Sequence, residues 1–206
     1  MMRSPRTQRK RSPRSANRFS YPLFLDLNGR RCLVIGGGRV AERKCLPLMN
    51  SGALVTIVSP SLTKRLEGYK IKGLVKHKKR EYRSSDIKSS FLVIAATNSE
   101  EINRQISRDA EAADKLLNVV DQPALCNFIV PSVVRRGLLT IAVSTGGASP
   151  AMAKAIRKEL QQLYGPEFSR FLGLMKKLRS KAMKEITNRK QREAFLKELA
   201  DRLFTG

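Results

Sequence analysis

Tryptophan is absent from this chain, histidine occurs once and cysteine three times. The lone histidine, His77, and the lack of any C-x-x-C leave no framework for a zinc site, and no metal is expected. His77 lies in a basic stretch and reads as a solvated residue on a strand face. The cysteines, Cys32, Cys45 and Cys126, are odd in number and lie in or beside apolar segments. They read as small buried hydrophobes in a reducing, cytoplasmic compartment rather than as a disulfide framework. No apolar run approaches the ~20 residues of a membrane span, so no membrane partner is expected. Acids are scarce, with 17 Asp and Glu against 41 Lys and Arg, a net charge of +24.

Seven of those basic residues fall within Met1–Arg18, which contains no acid and little that is apolar. Such a segment cannot build a core, and residues 1–20 are expected to be a disordered basic tail. The tail lacks the apolar stretch of a secretory signal; being Arg- and Ser-rich and acid-free it also fits an organellar transit peptide, although its poverty in apolar residues argues against the amphipathic helix such peptides form. The rest of the chain still carries +17. A body so basic attracts polyanions: nucleic acid, an anionic membrane, or a small molecule bearing many carboxylates. Composition leaves these open. The body shows no basic patch interleaved with aromatics and no helix-turn-helix signature, so no specific nucleic-acid partner is expected.

What the chain does have is an apolar run that breaks into three glycines. Residues Val34–Ala41 read VIGGGRVA. Cys32–Ile35 is continuously apolar and partly β-branched, as in a strand buried on both faces. Gly36-x-Gly38-x-x-Ala41 matches the G-x-G-x-x-G/A fingerprint of a dinucleotide site. Gly36 permits the tight turn. Gly38, without a Cβ, lets backbone N–H groups approach phosphates, and Ala41 is small enough for helix to meet strand. The first turn of that helix offers unpaired N–H groups to an anion. The same pattern fits an ordinary glycine-rich turn, so context has to decide. Three more β-like runs, Leu54–Val58, Phe91–Ala96 and Leu116–Val120, alternate with helical segments. That rhythm predicts a parallel sheet with crossover helices. Ligands of such sheets bind beyond the carboxyl ends of the strands, which is where Thr97, Asn98 and Asp121 fall.

Other elements follow from local pattern. Tyr21–Leu27 is expected as a lead-in strand on the sheet, before a turn at Asn28-Gly29-Arg30. A helix over Arg39–Asn50 carries Pro47 inside it, which predicts a bend there. Lys76–Tyr82 suits an edge strand, where lysines discourage aberrant pairing. Glu100–Lys115 reads as an amphipathic helix with Ile102, Ile106 and Ala110 on one stripe. Phe128–Val134 and Leu138–Ser144 read as two strands joined around Arg135-Arg136-Gly137, outside the βα rhythm. Thr145–Pro150 is a mobile-looking loop ending in an N-cap at Ser149 and a first-turn Pro150. Three helices follow. The first carries Met152, Ile156, Leu160 and Leu163 on one face, and Asn188 caps the third. These apolar stripes suit a core or a subunit interface, and a homodimer is expected.

The order of these pieces resembles precorrin-2 dehydrogenase, the N-terminal module of siroheme synthase. The resemblance runs from about Tyr21 to the C-terminus. It is carried by PLF-x-DL at Pro22–Leu27, VIGGGRVAERK at Val34–Lys44, AATN at Ala95–Asn98 and NVVD at Asn118–Asp121. FIVPS at Phe128–Ser132 and AVSTGGASP at Ala142–Pro150 complete it. It implies an α/β architecture: a Rossmann-like NAD-binding domain over 21–121, a small β dimerisation and substrate region over 122–149, and a helical C-terminal domain over 150–206. It implies oxidation of precorrin-2 to sirohydrochlorin with NAD, which suits the basic body because the tetrapyrrole carries many carboxylates. Asp121 becomes the catalytic candidate, since dehydrogenation releases a proton and a carboxylate can accept it. A structural cap on the turn, or orientation of substrate, is the competing role. Gly36, Gly37, Gly38, Arg39 and Val40 would hold the cofactor, with Thr97 and Asn98 at the neighbouring strand end. Pro60 and Ser61 would lie by the adenosine. Thr145, Gly146 and Gly147 would bind substrate carboxylates through backbone N–H groups, or else merely link to the last helices.

NAD against NADP stays open on the residues themselves. Where an acid commonly holds the ribose, after the second strand, the chain reads Ser59-Pro60-Ser61. Lys64 and Arg65, a little further on, suit a 2′-phosphate, whereas the family points to NAD. Three alternatives accompany the dehydrogenase reading. One adds sirohydrochlorin ferrochelatase activity. Another is an NAD-sensing module that grips nucleic acid, and the third is a reductase of a different substrate.

Overall fold

A computed structural model describes residues 20–204. The basic tail expected over 1–20 lies, Ser20 apart, outside the described residues. The chain divides into two compact units, one running to Val130 and the other starting at Pro131.

The first unit is a five-stranded sheet: β1 (Arg31–Ile35), β2 (Leu54–Val58), β3 (Val75–Lys78), β4 (Leu92–Ala95) and β5 (Leu116–Val119). Its order is β3-β2-β1-β4-β5 and every pairing is parallel. Helices α1 (Arg39–Asn50), α2 (Lys64–Ile71) and α3 (Glu100–Ala112) make the crossovers. The central strands are apolar throughout because both faces are covered. Side-chain alternation divides them: Cys32 and Val34 join Ala41, Cys45, Leu48 and Leu66 on one face, while Leu33 and Ile35 join Ile106, Ala110 and Leu117 on the other. The lysine-rich β3 is an edge strand as expected, but it spans Val75–Lys78 and ends before Lys79–Tyr82. Ser99 caps α3 and Thr63 caps α2, each hydroxyl accepting the N–H three residues on. α1 continues through Pro47 for one more turn to Asn50. Because the proline sits in the last turn, only the Arg43 carbonyl loses its helical donor.

Two expectations fail here. Tyr21–Leu27 is not a strand, and Tyr21, Leu23 and Phe24 are 85%, 56% and 72% exposed. Only Leu27 enters the core. Its apolar character is real, but β2 and β4 already fill both sides of β1, and β3 is the partner of β2. His77 is half-buried rather than solvated, with Nε2 donating to the Ser59 carbonyl at 2.9 Å. Period-2 alternation on β3 cannot reveal that bond, since its acceptor lies in the loop after β2.

The second unit opens with an antiparallel hairpin, β6 (Ser132–Arg136) and β7 (Leu139–Val143), turning at Gly137 with φ +57°. The first strand starts later than the apolar pattern predicts, after Pro131, which cannot donate to a ladder. Helices α4 (Pro150–Leu163), α5 (Glu167–Glu185) and α6 (Arg189–Phe204) follow. Ser149 and Asn188 cap as expected. Of the α4 stripe that suits a core or a subunit interface, Met152 and Leu163 are 55% and 70% exposed, Ile156 and Leu160 are half-buried, and Ala153 is the buried position of the helix.

Candidate dinucleotide site

The carboxyl edge of the sheet is assembled by three backbone hydrogen bonds. Gly36 donates to the Val58 carbonyl, Ala96 to Ile35, and Val120 to Ala95, all at 2.8–2.9 Å. These bonds bring the glycine turn, the Ala96-Thr97 bend and Asp121 to one edge of the unit. The strand order reverses direction between β1 and β4, so the crevice expected of a doubly wound sheet opens beside the glycines.

The three glycines are not equivalent. Gly36 has φ +113°, and a Cβ there would collide with the Ala96 carbonyl. Gly37 is buried, and a Cβ there would strike the Ser61 carbonyl. Thr63 N also donates to the Gly37 carbonyl at 2.9 Å, so the loop after β2 is clamped onto the turn. Gly38 is the N-cap of α1 and has nothing within 4 Å of a would-be Cβ. It is exposed, no side chain caps the helix, and the first-turn N–H groups have no acceptor within the helix. An anion therefore fits where the fingerprint calls for a pyrophosphate.

Around this turn, Arg39 is exposed and Val40 half-buried at the start of α1, and Pro60 and Ser61 are exposed after β2. Thr97 is tied down: its hydroxyl donates to Asn103 Oδ1 at 2.8 Å, and Asn103 Nδ2 returns a bond to the Thr97 carbonyl. Asn98 beside it is exposed. Asp121 follows β5 exposed and left-handed, with φ +59°. A non-glycine residue pays for that conformation, which is a common feature of functional strand ends.

Sequence reasoning missed two neighbours of Asp121. Lys44, half-buried on α1, is in electrostatic contact with it. Burial pushes the ammonium below its ordinary value and Arg43 adds to this, while Asp121 and Cys126 act in the opposite sense. The only signal was the lysine's place within VAERK. Gln122 Oε1 is buried and takes no hydrogen bond among the described residues. It is an acceptor left for a donor, and nothing in the turn Asp121-Gln122-Pro123 announces it.

Thr145, Gly146 and Gly147 belong to the second unit. The loop is a bonded turn rather than a loose linker. Thr145 Oγ1 donates to the Ser149 carbonyl and accepts from Ser149 N, and Ala148 N donates to the Thr145 carbonyl. Gly146 and Gly147 take φ of +63° and +92°, with open space where a Cβ would stand.

This architecture defines a doubly wound NAD(P)-binding domain. A family of NAD(P)-binding domains matches residues 23–132, and the chain belongs to it. Residues 136–163 match the central segment of sirohaem biosynthesis proteins. The chain is 37% identical over 190 residues to a siroheme synthase of Nitrosococcus oceani, covering 90% of this chain and 41% of that protein. It is 38% identical over 180 residues to one of Methylobacillus flagellatus, covering 87% and 38%. It thus spans about two fifths of the length of these relatives. Among solved structures it is similar to SirC, a precorrin-2 dehydrogenase, with TM-score 0.78 and 27% identity over 87% of this chain and 89% of that one. No helix among the described residues is long and apolar enough to cross a membrane.

Proposed function

We propose that the chain is an NAD-dependent precorrin-2 dehydrogenase, oxidising precorrin-2 to sirohydrochlorin in sirohaem biosynthesis, with Asp121 as general base. The observation that carries this reading is an exposed, left-handed Asp121 on the same sheet edge as the open Gly38 turn. Support comes from the likeness to SirC along nearly its whole length. The glycine turn and the start of α1 would hold the pyrophosphate, with Arg39, Val40, Pro60, Ser61, Thr97 and Asn98 around the rest. Bound NAD⁺ supplies a hydride acceptor. The chain's own task is the proton, which Asp121 takes from the substrate carbon skeleton. Lys44, half-buried on α1, lies in electrostatic contact with Asp121 on this edge.

The substrate's carboxylates are complemented by the basic surface and, in this reading, by the N–H groups of Thr145, Gly146 and Gly147. The regions 122–149 and 150–206 then serve dimerisation and substrate binding. The open α4 residues Met152 and Leu163 suit a homodimer face. The test is anaerobic turnover of precorrin-2 with NAD⁺, read as NADH and as the sirohydrochlorin spectrum. Asp121→Ala should lower kcat about 10²- to 10⁴-fold, the range for loss of a general base. Undiminished turnover in that variant would reduce Asp121 to a cap on the turn.

A further inference from the structure

We infer that Lys44 is a substrate-binding residue, gripping a carboxylate of the tetrapyrrole beside Asp121. This rests on the dehydrogenase reading of the site and adds to it a residue that holds the substrate.

The helix α1 brings Lys44 to this place. Its inner row, Ala41, Cys45 and Leu48, packs into the core that Val120 and Phe128 also join, and those two residues bracket Asp121 in the chain. Lys44 lies one position before Cys45, on the flank of that row, and is half-buried. The titratable groups acting on it are its neighbour Arg43 and, from the turn after β5, Asp121 and Cys126.

The fold makes no use of this ammonium. Lys44 has no ion pair and no hydrogen bond among the described residues. The more open Lys78, by contrast, is paired with Asp86 at 2.8 Å. The other polar groups of the turn are committed. Cys126 Sγ accepts from Val119 N at 3.1 Å and lies 3.2 Å from the Val119 carbonyl, and Asn118 Nδ2 donates to the Phe128 carbonyl at 3.2 Å. Next to Asp121, Gln122 Oε1 is buried and accepts nothing among the described residues. A donor and an acceptor, both partly withdrawn from water, thus flank Asp121 without partners. Such groups are costly to leave unmatched. A tetrapyrrole carries the complement of each: carboxylates around its rim for the ammonium, and pyrrole N–H groups for an acceptor. The bond from an ammonium to a carboxylate is the stronger of the two, because both partners are charged.

The experiment titrates sirohydrochlorin anaerobically into the full chain and measures precorrin-2 turnover with NAD⁺ alongside. Wild type is compared with Lys44→Met, Lys44→Arg and Lys88→Met. Lys88 is an exposed lysine just before β4, at the opposite edge of the sheet. Lys44→Met should raise the sirohydrochlorin Kd and the precorrin-2 KM about 10- to 100-fold, as loss of one charged hydrogen bond implies. Its kcat should change little, because the grip is made before the chemical step and kept through it. NADH affinity should hold. Lys44→Arg keeps the charge and should recover most of the binding, and Lys88→Met should match wild type. Lys44→Met should also melt no lower than wild type, since a half-buried ammonium without a partner adds nothing to stability.

Wild-type sirohydrochlorin affinity in Lys44→Met overturns the proposal. So does a fall in kcat with KM and Kd unchanged, which would mean that Lys44 acts through Asp121 alone. Equal weakening by Lys88→Met would reduce the effect to general surface charge. A Lys44→Met chain that melts far below wild type, or does not fold, would give the charge to the fold and overturn it as well. If wild type neither binds sirohydrochlorin nor turns over precorrin-2, the dehydrogenase reading itself fails.

Discussion

Gly37→Ala and Gly38→Ala change adjacent residues by one methyl group, and they should fail in different ways. At Gly38 the backbone has φ −83° and ψ −173°, extended values open to any residue, and a Cβ meets no heavy atom within 4 Å. The fold should therefore lose only about 0.5–1 kcal/mol, the N-cap preference for glycine over alanine. The methyl group would nevertheless occupy the space through which a pyrophosphate reaches the first-turn N–H groups. Each charged hydrogen bond lost there is worth about 1.5–3 kcal/mol, so the NADH dissociation constant should rise about 10- to 100-fold.

At Gly37 the obstacle is the protein itself. The Cβ would strike the Ser61 carbonyl and approach Ser59 Oγ to 2.6 Å. Neither atom yields easily, because the Ser59 hydroxyl is committed to that same carbonyl and Thr63 N clamps the loop to Gly37. Overpacking of this kind costs about 1–3 kcal/mol. At about 2–4 °C per kcal/mol for a domain of this size, the melting temperature should fall by about 2–12 °C. Thermal melting and NADH titration of both variants decide the matter. A Gly38→Ala chain that melts as low as Gly37→Ala, or that binds NADH with wild-type affinity, would refute the assignment of the open side of the turn to a ligand.

Acid stability should depend on Asp86, which is buried and paired with Arg80 at 2.6 Å and Lys78 at 2.8 Å. Burial pushes its pKa up, but the bonds from Arg80, Lys78 and the Arg83 N–H outweigh this and hold it well below the usual carboxylate range. A depressed folded pKa stabilises above the unfolded value of about 4 and fades as pH falls below it. Asp86→Asn should therefore cost about 2–3 kcal/mol near neutrality and flatten the acid limb of a stability–pH curve measured by urea titration. The thiols should be silent in the native state: burial pushes Cys32 up to about 11 and Cys45 up to about 12. At pH 8 only on the order of one in a thousand or fewer of those groups is thiolate, so a disulfide reagent should titrate them only after denaturation. Ser99→Ala removes the cap bond to Ile102 N and should destabilise by about 1 kcal/mol, checked by thermal melt.

Legibility followed the range of the interactions concerned. The runs Leu54–Val58 and Leu116–Val120 became β2 and β5 nearly to the residue, because apolar β-branched runs between turn signals have one stable destination in a covered parallel sheet. The caps at Ser99, Ser149 and Asn188 were equally local. Tyr21–Leu27 looked as strand-like as any run, but local pattern does not show whether a run pairs, and only Leu27 reaches the core. His77 looked solvated because its acceptor, the Ser59 carbonyl, belongs to a neighbouring loop. On α4 the helical period predicted a stripe correctly, but period alone cannot say whether anything covers it.

The sequence by itself determined the strand-glycine-helix junction, the alternation of strands and helices, the helix starts and the excess of positive charge. Each of these depends on residues within a few positions of one another, or on a plain count. Tertiary structure alone decided which glycine faces protein and which faces open space, because Ala96, Ser59 and Ser61 come to the turn from other strands. It alone set Lys44 in the field of Asp121 and left Gln122 Oε1 buried without a partner among the described residues. It also gathered Arg39, Arg43, Lys64 and Arg65 around one cleft. The groups so joined come from elements twenty residues or more apart along the chain. They meet because parallel strands align their carboxyl ends on one edge, and local pattern does not encode how that edge is filled.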